Sequence, residues 1–156
     1  MPRWLLVVLL CVSPLAAEKY TGPRPPKADL PYLIHADNLV PTESLQAAAQ
    51  NRKNDVVYVI AGANSTARTP LASPAFLIQT DQIQADRLNM FALQSKNGQR
   101  EILYMRRKKI LPRAIRLNVT KVDENLYKVE VDEILPNGEY LMTPPDSNQV
   151  FCFEVY

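Results

Sequence analysis

The sequence predicts an all-β protein: a single antiparallel β-sandwich, Ig-like or jelly-roll-like, of roughly eight short strands with little helix. Three observations predict it. Turn signals recur about every 8 to 12 residues, the spacing of a sandwich or barrel. Two successive segments alternate apolar and polar residues with the period of two that a sheet with one wet face requires. No segment of roughly ten or more residues sustains an amphipathic helical period, which argues against βαβ units.

The elements follow in chain order. Residues 32–35 (YLIH) form a short apolar strand. Residues 38–42 form another, and Pro41 inside it marks a sheet edge, because proline cannot donate to a ladder. The segment 44–51 holds Ala47-Ala48-Ala49, and alanine's helix propensity predicts a helical turn or two there. Residues 55–61 (DVVYVIA) carry four β-branched residues and a tyrosine, the clearest buried strand, ended by Gly62. Residues 64–74 are a small-residue loop closed by Pro70 and Pro74, and 75–80 (AFLIQT) form a strand. Residues 81–88 fit a single helical turn or a loop.

Three hairpins then follow. Asn97-Gly98, between 90–94 and 102–105, supplies the two positive-φ positions of a tight turn whose twist matches its strands. Segments 114–122 and 126–132 flank Asp123-Glu124-Asn125. Within them Ile115, Leu117 and Val119 alternate with Arg116, Asn118 and Thr120, and Tyr127, Val129 and Val131 alternate with Lys128, Glu130 and Asp132. Pro136-Asn137-Gly138 turns into 139–143, and 144–148 turns into 149–156, where Phe151, Phe153 and Val155 share one face.

Composition sets the class. The chain has 156 residues, 47% hydrophobic and 22% charged, with two cysteines and one histidine. It is too apolar for a disordered chain and too poor in cysteine for a disulfide scaffold. Residues 1–17 read as a secretory signal: Arg3 supplies the positive end, Trp4 begins an unbroken apolar run to Val12, and Ala17 offers a small residue at the cut. The run is too short to span about 30 Å of hydrocarbon, so cleavage leaves no transmembrane segment. The mature chain of 139 residues keeps 17 of the 18 basic residues against 16 acids, and only Cys152 of the two cysteines. The expected compartment is secreted or periplasmic. No intramolecular disulfide can form, so stability must come from a hydrophobic core. Residues 18–31, with Pro23, Pro25, Pro26 and Pro31, read as an extended arm, either a spacer or a segment lying on the domain at 32–156.

The stretch 136–140 (PNGEY), followed by 151–156 (FCFEVY), resembles the closing strands of small secreted bacterial β-sandwich proteins. The Pro-rich approach to 31–38 (PYLIHADN) is similar to an uncharacterised bacterial family of such proteins with a signal peptide. The resemblance implies a compartment and a fold type and carries no activity.

Chemistry-bearing patterns are few. Arg106, Arg107, Lys108, Lys109, Arg113 and Arg116 place six cations and no acid in eleven residues. Such a run repels itself and is expected to be solvated, suited to a protein or an anionic envelope polymer. Asp123, Glu124, Glu130, Asp132 and Glu133 follow closely, so cross-strand pairs of Arg116 with Glu130 or Asp132 are expected to neutralise part of it. Near-balanced charge, and no aromatic residue between Lys108 and Arg116, argue against nucleic acid.

His35 and Cys152 are the sole candidates for a nucleophile and base, with Asp37 as orienting group; a small hydrolase or thiol enzyme would need all three in contact. The bland alternative is a packed cysteine between Phe151 and Phe153. The four glycines are isolated, so no phosphate loop, nucleophile elbow or dinucleotide fingerprint exists, and one histidine makes a poor metal set. No cofactor is expected. Asn64-Ser65-Thr66 and Asn118-Val119-Thr120 match the N-glycosylation pattern and, given the bacterial resemblance, are taken as coincidence. The expectation is a non-enzymatic exported binding or interaction module. The alternatives are a structural subunit that pairs through an edge strand and the Cys152–His35 enzyme. Glutamate substitution at Arg106, Arg107, Lys108 and Lys109 together is expected to abolish partner recovery from an envelope fraction with the fold intact. Unchanged recovery would remove the run from consideration.

Overall fold

A computed structural model describes residues 18–53, 55–104 and 111–156, with Leu103 and Tyr104 described by backbone alone. The fold is nearly all β, and antiparallel sheets pack as a sandwich. Thirteen strands are present among the described residues: β1 (Tyr32–His35), β2 (Asn38–Pro41), β3 (Glu43–Gln46), β4 (Ala48–Arg52), β5 (Asp55–Ala61), β6 (Arg68–Thr69), β7 (Ala75–Gln79), β8 (Asn89–Lys96), β9 (Gln99–Tyr104), β10 (Leu117–Asp123), β11 (Leu126–Val131), β12 (Gly138–Thr143) and β13 (Gln149–Val155). One 3-10 turn, Ala85–Arg87, fills the segment expected to be a turn or a loop.

The first sheet has the order β10-β11-β7-β1-β2. As expected, the strand carrying Pro41 lies at an edge. The alternation from Ile115 through β10 and in β11 places Ile115, Val129 and Val131 in the core and leaves Arg116, Asn118 and Thr120 exposed. The Asn97-Gly98 turn has both residues at positive φ, 53° and 75°, which only this type of tight turn demands.

The second sheet, β3-β13-β12-β8-β9-β5-β4 with β6 alongside β13, curls into a half-barrel. Its two ends are one chain segment. Glu43–Gln46 pairs with Cys152 back to Gln149, and Ala48–Arg52 pairs with Val59 back to Asp55. Ala47, between them, donates its N–H to Asn148 O at 2.8 Å. The helix expected over 44–51 is therefore absent. Alanine's helix propensity is worth only tenths of a kcal/mol per residue, and two ladders outweigh it.

Alternation in the half-barrel gives its two faces different work. Tyr140, Met142, Met90, Phe151, Phe153 and Val155 face the first sheet and form the sandwich core with Phe76, Ile78 and Val129. Phe76 meets Phe153 edge-on at 5.0 Å, and Tyr140 stacks on Phe153 at 5.5 Å. The other face turns inward, where Ala47, Ile60, Leu93, Leu141, Val150 and Cys152 form a second, smaller core.

The proline arm lies on the domain. Pro25 is buried, Asp29 N–H reaches Gln79 O at 2.8 Å, and Arg24 pairs with Asp123. Residues 1–17, expected to be a signal, lie outside the described residues. Among the described residues no helix is long and apolar enough to cross a membrane.

Candidate functional site

The interior of the half-barrel has a polar end and an apolar end. Arg100 on β9 shares the inward face with Ile102, two residues on, and is fully buried. A guanidinium without water must find protein acceptors for its donors. Nε donates to Gly62 O at 3.0 Å and Nη2 to Ala61 O at 2.7 Å. Nη1 donates to Glu43 Oε2 at 2.9 Å and to Ser65 Oγ at 2.6 Å, and lies 3.6 Å from Glu139 Oε2. Glu139 in turn accepts from the Ser65 N–H at 3.1 Å and from its hydroxyl. Gly62 stands at φ +86°, a conformation glycine adopts without strain, and so turns its carbonyl onto the guanidinium.

At the other end the interior opens as a groove of about 400 Å³. Tyr58, Phe91, Ile102, Leu141 and Val150 wall it, and the turn at 144–148 forms a lip. The groove exists because β8 and β9 splay apart. Their ladder spans only Gln94↔Glu101 to Lys96↔Gln99; before it, Met90 bridges instead to Ile115. Asp146 is the only charged residue among the groove's described lining.

Cys152 lies inside the half-barrel between these two ends and is fully buried. Burial pushes its thiol up to about 12, against a smaller opposing effect of Arg100. Such a thiol stays protonated at neutral pH and is a poor nucleophile. His35 belongs to the other sheet, on β1, and Cys152 points away from that sheet, so the structure does not bring the expected pair together. His35 Nε2 is buried without a hydrogen-bond partner among the described residues. Among the described residues no three His, Cys, Asp or Glu side chains gather as a metal-ligand set.

Of the expected basic surface, Arg106, Arg107, Lys108 and Lys109 lie outside the described residues. Arg113 is exposed and grips Glu133 with both Nη atoms, at 2.7 and 3.2 Å, which holds the Glu133 carboxyl below its ordinary range. Arg116 lies 3.7 Å from Asp132 Oδ2 and donates its backbone N–H to Glu133 Oε1 at 2.9 Å. Glu130, the other expected partner, pairs with Lys128 at 2.7 Å. The acids after residue 123 thus engage both of the described cations of the run.

Sequence reasoning did not single out the Arg100 cluster or the groove. A signal for the first existed: Arg100 and Glu139 each sit two residues before an inward apolar residue, Ile102 and Leu141. No family model, no curated protein and no solved structure matches this chain.

Replacing Arg100 with alanine leaves Glu43 and Glu139 facing each other without their cation, at an expected cost of about 3–5 kcal/mol in denaturant unfolding. A loss below about 1 kcal/mol would show that the cluster does not anchor the half-barrel. The Cys152 thiol carries a pH signature. Its folded pKa is raised, so its contribution is complete below the ordinary value of 9.0 and is lost as pH climbs toward about 12. Wild-type stability should fall over that alkaline window, and Cys152→Ala should flatten the fall. Equal slopes for the two proteins would contradict a buried, desolvated thiol.

Proposed function

We propose that this protein is an exported, non-enzymatic binding module of the cell envelope, secreted or periplasmic, whose ligand site is the mouth of the half-barrel. The observation that carries the reading is the open, apolar-walled groove of about 400 Å³. That volume lies in the range of small-ligand sites, which are mostly apolar with a few polar groups at the rim. Asn89, Thr143 and Ser147 supply neutral polar groups, and Asp146 supplies one negative charge. A ligand that is largely apolar, with a neutral or cationic polar end, suits this lining. Export is supported by the pattern at 1–17.

An edge-strand assembly has less support. Among the described residues the half-barrel's end strands, β3 and β4, follow one another across Ala47 and pair on one side each, and the first sheet ends in β2 and β10. Of these, β2 carries Pro41, and β10 carries Lys121 and a register shift between Lys121 and Asp123. All of these discourage strand addition.

A neutral apolar fluorophore, N-phenyl-1-naphthylamine, is expected to brighten saturably with the wild-type protein. Ala47→Phe, which projects a ring into the groove, should abolish the signal without lowering the unfolding midpoint by more than a few degrees. Undiminished fluorescence in that variant would place the apolar site elsewhere.

A further inference from the structure

β4 is an edge strand without the usual protection. Among the described residues it pairs only with β5, in a register without a shift from Ala48↔Val59 to Arg52↔Asp55. Ala48, Ala49, Gln50 and Asn51 are all exposed. The strand has no proline, and its one charge, Arg52 at the far end, is paired with Glu101. Natural edges are blunted by proline, lysine or a bulge, as β2 and β10 are; β4 has none of these. In an antiparallel ladder only alternate residues bond to the neighbour, so the others of β4 direct N–H and C=O away from β5.

This edge adjoins the groove. Ala47 immediately precedes β4, and Tyr58, the cross-strand partner of Ala49, walls the groove. The two neighbours of segment 43–52 lie on opposite sides of it. β5 runs on through Ile60 and Ala61 beyond its pairing with Ala48, at the level that Asn148 and Gln149 occupy beside Ala47 and Gln46. The free side of β4 therefore faces the lip at 144–148. That lip is held in shape: Thr143 Oγ1 donates to Gln149 O at 2.8 Å, and Ser147 Oγ accepts the Gln149 N–H at 3.0 Å.

An open backbone edge beside a preformed apolar groove suits one kind of ligand. Main-chain bonds along the edge supply affinity, and the groove reads alternate side chains. A second copy of β4 fits poorly, because its alanines, Gln50 and Asn51 would leave a groove of about 400 Å³ unfilled. The only charge in the described lining, Asp146, complements a cation. We propose that β4 accepts an extended segment of a partner protein as an added strand. A large apolar side chain of that segment enters the groove, and a basic one lies beside Asp146. The inference deepens the reading of the groove as a ligand site and rests on it.

The test uses the peptide acetyl-Thr-Lys-Thr-Phe-Thr-Lys-Thr-amide, which places Phe and both Lys on one face and suits either strand direction. It should displace N-phenyl-1-naphthylamine saturably and slow amide exchange at alternate residues of β4. N-methylation of either the Thr set or the Lys-and-Phe set of peptide amides should weaken binding at least about tenfold, and methylation of the other set should not. Phe to Ala in the peptide should cost about ten- to a hundredfold. Exchanging both Lys for Glu should cost about two- to fivefold, an effect that Asp146→Asn removes. Ala47→Phe should abolish binding. Fluorophore binding without displacement by the peptide would overturn this inference and leave the groove as a small-molecule site; binding of neither would overturn both readings. Equal effects of the two methylation sets would exclude strand addition, and a dimer of the protein joined through β4 would make the occupant a second copy. Either result overturns the proposal.

Discussion

A single buried guanidinium, Arg100, sets the terms for the half-barrel. It reaches Glu43 on β3, approaches Glu139 on β12, and takes the carbonyls of Ala61 and Gly62 where β5 ends. In the order of the sheet, β3 lies at one end and β5 stands next to the other. The cluster therefore ties distant parts of the curl across its interior. Burying a charge is costly unless its donors are met, so the sheet can curl this far only in a geometry that brings these acceptors together. Specificity of shape, more than net stability, is what such a cluster supplies.

The same constraint explains why the groove lies where it does. Polar groups close one end of the interior, and Ile60, Leu93, Val150 and Cys152 fill the middle. At the remaining end β8 and β9 part company, because Met90 pairs with Ile115 in place of a β9 residue. The groove borders that splay, with Ile102 and Pro112 in its wall. The groove's concavity comes from an interrupted ladder, with the turn at 144–148 as its lip.

Much of the architecture was legible in the sequence. Alternation over 115–119 and 127–131 gave the wet-faced hairpin, DVVYVIA gave β5 at its true limits, and Phe151, Phe153 and Val155 share the face expected of them. What period and turn signals could not deliver was the second use of a strand. Residues 44–51 look weakly helical because Ala47-Ala48-Ala49 dominates their local pattern, whereas the ladders that hold them extended come from β5, the next strand, and from β13, far along the chain. Arg100 escaped for a related reason. It follows the Asn97-Gly98 turn so closely that it reads as turn sequence, and only the extension of β9 back to Gln99 places it in the interior row with Ile102. The groove depends on where one ladder stops, and no residue type marks that point. The Cys152–His35 pairing failed on a simpler matter: Cys152 lies on the face of β13 turned away from the sheet that holds His35.

The junction at Ala47 also bears on how the chain reaches this shape. The partner of β4 is the next strand, β5, and a hairpin of that kind closes quickly once both halves exist. The partner of β3 is β13, roughly a hundred residues further along. Loop closure over that distance is entropically late, and contacts of such separation slow folding. The segment 43–52 therefore waits half-engaged while the chain emerges, with β3's backbone donors and acceptors unmatched until the last strand arrives. The half-barrel thus completes its curl only when β13 pairs with β3, and because Glu43 on β3 is a partner of Arg100, the guanidinium gains that carboxylate only at this late step.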